Sequence, residues 1–187
     1  MATTNPTTPR NRLRPLIWGV ATALLLVPAI AMRFTRDVDW TALDFAVMGV
    51  LLYGTCGVYE VATRMSPDRW YRAGAGVAAM TGFLLVWVDL AVGIIDSERD
   101  VANLVFAGVL MVGAIGAAIA RFRARGMAVA LLATAAAQMA AAMYAMVAGH
   151  DGKGVYAAGM FVPMWLASAW LFHRAARGAR PESPVRA

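Results

Sequence analysis

The sequence has little charge and almost no cysteine. Only 15% of its 187 residues are charged, whereas 60% are hydrophobic and the mean hydropathy is +0.61. An ordinary soluble domain carries about 25% charged residues, so this composition excludes that class and indicates an all-α, polytopic membrane protein. The single cysteine, Cys56, excludes an intrachain disulfide framework and any metal site built from several cysteines.

Motifs of common enzymes are also missing. The sequence contains no Gly-rich phosphate loop, no nucleophile elbow and no His-Glu-x-x-His motif. The two histidines, His150 and His173, fall at opposite membrane faces of the predicted spans, so one haem cannot take both as axial ligands. The basic residues occur in short runs between apolar segments, which argues against nucleic-acid binding. We therefore expect a protein that is not an enzyme and has no cofactor.

Six apolar runs are each near the roughly 20 residues that a helix needs to cross the hydrocarbon core. A bilayer offers no partners to exposed backbone groups, so these runs are expected to be helices, paired as three hairpins. The predicted domains are a cytoplasmic tail at 1–14, a six-helix transmembrane domain at 15–174 and a cytoplasmic tail at 175–187. The predicted spans are 15–32, 43–63, 73–95, 103–120, 127–149 and 154–173.

Basic residues are concentrated on one side of these spans. The two tails and the second and fourth loops hold thirteen of the 17 basic residues. Because short cytoplasmic loops retain Lys and Arg, the sequence predicts a multi-pass protein of the inner (plasma) membrane with both termini in the cytoplasm. The N-terminal stretch MATTNPTTPRNRLRP, with PAIAM after it, also resembles a signal peptide, but a first helix kept as an anchor fits the charge distribution better.

The chain resembles itself at an offset of 59 residues. This shift places DFAVMGVLLYGTCG (44–57) over NLVFAGVLMVGAIG (103–116), and a fainter third copy would complete three parallel hairpins. The glycines of the repeat would let neighbouring backbones approach, which favours tight helix packing within the chain or between copies. They are Gly49, Gly54, Gly57, Gly108, Gly113 and Gly116.

One carboxylate lies deep inside a predicted span. Asp89, in LLVWVDLAVGII, is about 9 Å from the outer end of its helix, and a charge in hydrocarbon costs several kcal/mol. Its carboxyl group either serves a proton or cation pathway or ties helices together as a hydrogen-bonded packing group. The polar residues that could complete this intramembrane site are Thr81, Tyr53 and Gln138.

Other polar and aromatic residues have simpler interpretations. Asp44 starts a predicted helix and is expected to cap it. Glu60 lies four residues before Arg64, a spacing that predicts an ion pair along one helix. Trp87 and Trp165 are remote from the predicted interfaces, so both are expected to pack inside the protein.

Methionine is frequent, with 12 residues in the chain. Met139, Met143 and Met146 share one face of the fifth span, and together with Cys56 or His150 their thioethers would suit Cu(I), a soft cation. Methionine also fills irregular apolar space, and the sequence has no tight Met-x-Met cluster. A membrane copper site is therefore a third interpretation, after packing and transport.

The run FLLVWVDLAVGIIDSERDVANLVFAGVL, followed by ARFRARGMAVALLATAAAQ, resembles a group of small bacterial inner-membrane proteins of uncharacterised function. In that group a similar LLVWxNLAVGIIGSE segment precedes an asparagine and a Gly-Val-Leu helix. The resemblance is strongest over residues 42–140. It implies that Asp89 stands where the group commonly carries Asn, which favours a polar packing role, and it implies no activity.

These patterns together predict a non-enzymatic packing or accessory component of a membrane assembly. Its expected partners are the lipid bilayer and either further copies of itself or another membrane protein. The first alternative is a small transporter or channel that uses Asp89. The second is a copper-binding membrane protein.

Overall fold

The computed structural model describes residues 13–92, 104–147 and 159–178, and the structural statements below concern these residues. Over these ranges the chain is helical and contains no strand, which confirms the predicted helical class. The six helices are α1 (Leu13–Ala31), α2 (Ala42–Met65), α3 (Arg69–Val92), α4 (Leu104–Ile119), α5 (Ala124–Val147) and α6 (Phe161–Gly178).

Four of these helices, α1, α2, α3 and α5, are long and apolar enough to cross a membrane by length and composition. The helix α4 is apolar but shorter, with 16 residues. The helix α6 is not among the four and carries His173, Arg174 and Arg177 towards its end. Four apolar helices of this length indicate a membrane protein.

A capping box closes the start of α2. The Thr41 amide and hydroxyl donate hydrogen bonds to the Asp44 carboxylate at 2.7 and 2.8 Å, and the Asp44 amide donates to the Thr41 hydroxyl oxygen at 3.4 Å. These bonds satisfy backbone donors that the first helical turn leaves without partners. The expected capping role of Asp44 is confirmed, and the N-cap residue itself is Thr41.

Two side chains specify the turn between α2 and α3. The Asp68 carboxylate accepts hydrogen bonds from the amides two and three residues further on, at 2.6 and 3.0 Å, and so caps α3. The Arg72 guanidinium donates back to the carbonyls of Ser66 and Thr63, at 2.9 and 3.2 Å. One carbonyl in the last turn of α2 and one just after that helix are therefore satisfied by the first turn of α3.

The chain divides into two compact units, Met1–Glu60 and Val61–Ala187. In the first unit α1 and α2 form an antiparallel hairpin. The Trp18 and Tyr53 rings stack with centroids 5.8 Å apart, and the hydroxyls of Tyr53 and Thr22 share a hydrogen bond of 3.1 Å. Aromatic stacking and one hydroxyl pair therefore join the middle of this hairpin.

The second unit is a bundle of the four helices α3 to α6. The helix α6 packs against α3 and α5, α5 packs against α4, and α4 makes a smaller contact with α3. Among the buried residues of α5 and α6, one row on each helix has alternating intervals of four and three, the spacing of helices packed nearly parallel or antiparallel in a bundle. These residues are Met127, Leu131, Thr134, Gln138, Ala141 and Ala145 on α5, and Phe161, Trp165, Ser168, Phe172 and Ala175 on α6.

A Schellman motif ends α4 and leads into α5. The Phe122 amide donates to the Ala117 carbonyl at 3.2 Å, and the Arg121 amide donates to the Ala118 carbonyl at 3.0 Å. Arg121 and Phe122 have φ of 47° and 56°, a left-handed conformation that costs energy for residues other than glycine. The Tyr71 hydroxyl donates to the Phe122 carbonyl at 2.7 Å, which fastens this turn to α3.

Candidate functional site

The structure places three of the four residues of the predicted polar site in the second unit. Thr81 on α3 and Gln138 on α5 are both 0% exposed, and Asp89 lies half-buried eight residues beyond Thr81 on α3. The Thr81 hydroxyl donates to the Val77 carbonyl of its own helix at 2.7 Å. Tyr53 belongs to the first unit, where it contacts α1.

Two further hydroxyls are fully buried in the same bundle, and sequence reasoning missed both. Thr134 donates to the Ala130 carbonyl at 2.9 Å within α5, and Ser168 on α6 donates to the Gly74 carbonyl of α3 at 2.7 Å. Single Ser and Thr residues in an apolar run form no motif, and only their spacing with the other buried positions could have revealed them. Backbone carbonyls are the usual acceptors for such hydroxyls in membrane helices.

The two tryptophans expected to pack inside the protein differ in environment. Trp165 is 4% exposed, and its ring lies 3.9 Å from the place that a Cβ on Gly82 would take. Trp87 is 42% exposed and stacks on Phe83 with ring centroids 5.9 Å apart. The prediction for Trp87 was wrong, because depth in the membrane does not determine which face of a helix a residue occupies.

Close helix packing is observed at two of the six glycines of the repeat. A Cβ on Gly116 would lie 2.8 Å from the Ala130 Cβ, and one on Gly113 would lie 3.2 Å from the Thr134 hydroxyl oxygen. Real Cβ atoms do not approach as closely as the first of these distances. The absence of side chains at both positions therefore allows α4 to lie directly against α5.

The other four glycines of the repeat have more open surroundings. A Cβ on Gly49 would meet Leu25 of α1 at 3.8 Å, which is ordinary van der Waals contact. For Gly54, Gly57 and Gly108, no atom of the described residues lies within 4 Å of such a Cβ. Within the hairpin of α1 and α2, Gly54 and Gly57 therefore leave a backbone surface uncovered.

Glu60 connects α2 to α1. Its carboxylate forms an ion pair with Arg14 and accepts hydrogen bonds from Arg14 Nε at 2.9 Å and from Trp18 Nε1 at 3.2 Å. The sequence suggested Arg64 as the partner, four residues away on the same helix. The partners on α1 were not foreseen, because no local spacing relates residues that are 42 and 46 positions apart.

The three methionines considered as copper ligands lie on the outward face of α5. Met139, Met143 and Met146 are all exposed, away from the buried residues of that helix. Cys56 is buried in the first unit, with its sulfur 4.0 Å from the Ile17 carbonyl oxygen, and His150 lies outside the described residues. Where the structure describes the chain, no group of three His, Cys, Asp or Glu residues could hold a metal ion.

Arginine and tryptophan side chains cluster where α3 starts and α6 ends. The Arg174 guanidinium lies 4.9 Å from the ring centroids of both Trp70 and Trp170, and Arg69 lies 5.0 Å from that of Trp70. The two indole rings meet edge to face at 6.2 Å. Such stacked cations and indoles are typical of the membrane–water interface, where amphipathic rings anchor helices.

Comparison with known proteins finds no matching family model, no matching curated protein and no matching solved structure. The resemblance to small bacterial inner-membrane proteins therefore stays a prediction.

Proposed function

We propose that this chain is a non-enzymatic protein of the inner membrane that serves as a packing component of a membrane assembly. The observation that carries the proposal is a row of small and β-branched residues on α2, here called the α2 seam. It consists of Val47, Val50, Gly54 and Gly57, and both valines are exposed. The intervals of three, four and three residues direct the seam towards one neighbouring helix.

The chemistry of the α2 seam suits a helix better than it suits lipid. In hydrocarbon, helices associate through dispersion and close backbone contact, which glycines permit. Valine has few side-chain conformations to lose in a helix, so packing it costs little entropy. The outward face of α5 differs, since it presents flexible side chains such as Met139 and Met143.

The internal repeat supports the same role for the seam. At the offset of 59 residues, Gly54 and Gly57 correspond to Gly113 and Gly116, where α4 packs closely on α5. We propose, in addition, that the chain has three repeated hairpins, six membrane spans and both termini in the cytoplasm. The repeat supports close packing of the α2 seam on a helix other than α1. The packing role further assigns that helix to a second copy or to another membrane protein.

Native mass spectrometry of the protein, extracted gently from its own membranes, tests this role. We expect the wild-type chain to be recovered as a fixed oligomer or with a defined protein partner. The double variant Gly54→Leu/Gly57→Leu should be recovered mainly as a monomer, because the leucine side chains hold the helices apart. The matched control is Gly19→Leu on α1, where the described residues also leave open space around an added Cβ.

Two results would contradict the packing role. One is a wild-type chain that is recovered as a bare monomer, and the other is a double variant that associates as the wild type does. Circular dichroism of each variant checks that its helix content is retained. Loss of association in Gly19→Leu as well would show that any bulky outward residue has this effect.

Transport is the competing function, and one observation favours it. Asp89, Thr81 and Gln138 lie in one four-helix unit, with Thr81 and Gln138 fully buried. The buried hydroxyls of the bundle, however, donate to backbone carbonyls, as packing groups do. Proton or cation flux into proteoliposomes that is abolished in Asp89→Asn, with association unchanged, would replace the packing role by transport.

A further inference from the structure

A cavity of 150 Å³ opens between the start of α5 and the end of α6. Its lining residues are Arg125, His173, Ala176 and Arg177. On α6, Ala176 and Arg177 lie three and four residues after His173 and so flank it on one face, and Arg125 is the second residue of α5. Two arginines and one histidine therefore line this space from two helices.

Among the described residues, neither arginine of this cavity takes part in an ion pair. Arg14, in contrast, is paired with Glu60. The first turn of α5 adds backbone N–H groups and the positive end of a helix dipole. Guanidinium groups beside such N–H groups are the donors that proteins use to bind phosphate.

We propose that this cavity binds a phosphate group, supplied in the membrane by the headgroup of an anionic phospholipid. A water molecule takes about 30 Å³ of the liquid, so 150 Å³ holds a group several times larger. The cavity lies at the end of α6 where Arg174 stacks on Trp70 and Trp170, residues typical of the headgroup level. Basic pockets between membrane helices at that level bind anionic headgroups.

The test uses the full-length protein and three probes: phosphatidylglycerol, phosphatidylcholine and inorganic phosphate. Lipid retention is measured by native mass spectrometry after exchange into mixed micelles that contain equal amounts of the two lipids. We expect the wild type to retain phosphatidylglycerol preferentially. The variant Arg125→Gln/Arg177→Gln should lose about tenfold or more in that preference, because both guanidinium groups that could form charge-assisted hydrogen bonds to the phosphate are removed.

The matched control is Arg121→Gln/Arg123→Gln. It removes the same charge from the turn before α5, and neither residue lines the cavity. We expect this control to retain phosphatidylglycerol as the wild type does. All four arginines are exposed, so each variant should keep its helix content, which circular dichroism verifies.

The outcomes separate the possible sources of binding. Equal losses in the two double variants would overturn the proposal, because diffuse attraction to the basic end of the bundle would then explain retention. Absence of any lipid preference in the wild type, together with no binding of inorganic phosphate, would overturn it as well. Binding of inorganic phosphate that only Arg125→Gln/Arg177→Gln abolishes, with no preference between the lipids, would support the phosphate site and overturn the lipid source.

Discussion

Tyr71 ties three parts of the second unit together through one side chain. It is 5% exposed, its ring meets Phe172 of α6 edge to face at 5.0 Å, and its hydroxyl donates to the Phe122 carbonyl at 2.7 Å. Phe122 follows Arg121 in a turn whose left-handed backbone lacks glycine. The hydrogen bond from Tyr71 therefore offsets part of the cost of that turn.

Replacing Tyr71 by Phe should lower the free energy of unfolding by about 0.5–1.5 kcal/mol. The ring contact with Phe172 is kept, but the Phe122 carbonyl loses the donor that fastens its turn to α3. The measurement is unfolding in mixed micelles titrated with SDS. Tyr59→Phe is the control, since no partner for the Tyr59 hydroxyl occurs among the described residues. Equal effects of the two changes would show that the hydrogen bond from Tyr71 to Phe122 does not contribute to the free energy of unfolding.

At the scale of elements, α4 has two sides with different requirements for its glycines. Gly116 lies against Ala130 of α5, and Gly108 has open space around it in the described part of the chain. Both glycines belong to the internal repeat, and the sequence treats them alike. The contact with α5 distinguishes them, because a methyl group at Gly116 would overlap the Ala130 Cβ, whereas one at Gly108 would not.

Alanine substitutions should therefore have opposite effects at these two positions of α4. Gly116→Ala is expected to lower the free energy of unfolding by about 1–3 kcal/mol, since the added methyl would force α4 and α5 apart. Gly108→Ala should be neutral or stabilising by up to about 1 kcal/mol, because alanine loses less backbone entropy in a helix. Unfolding of the two variants and the wild type in an SDS titration measures both changes in free energy. A destabilisation by Gly108→Ala as large as that by Gly116→Ala would contradict the claim that, of these two glycines, only Gly116 lies in the contact with α5.

At the scale of the whole molecule, the connections expected in the cytoplasm carry more arginines than those expected outside. Arg121 and Arg123 lie in the turn between α4 and α5, and Arg125 lies in the first turn of α5. The connection between α1 and α2 carries Arg33 and Arg36 beside acidic residues. Retention of arginine by short cytoplasmic loops predicts that these two connections face opposite sides of the membrane.

Single cysteines introduced into a Cys56→Ala background test this orientation. A membrane-impermeant maleimide should label Arg36→Cys in intact cells and should label Arg123→Cys only after the membrane is permeabilised. Both target side chains are exposed, so access depends on the side of the membrane alone. Labelling of both positions from the same side would contradict the six-span arrangement.

Particular residues show how far the sequence predicts this structure. The capping role of Asp44 was predictable, because helix caps depend on residues three positions apart. The different surroundings of Gln138 and Met139 were not, although they are neighbours in α5, one fully buried and the other exposed. Nearly every face of a membrane helix is apolar, so the polar–apolar periodicity that reveals the buried face of a soluble helix is weak.

By itself, the sequence determined a helical membrane protein, since apolar runs of this length must satisfy their backbone groups within helices whatever their neighbours are. Only the tertiary structure decided which side chains meet. The pairing of Glu60 with Arg14, 46 positions away, and the convergence of Arg125 and Arg177 on one cavity depend on how helices lie against one another. Helix packing in an apolar solvent is decided by shape and by a few polar contacts, which leave little trace in local sequence patterns.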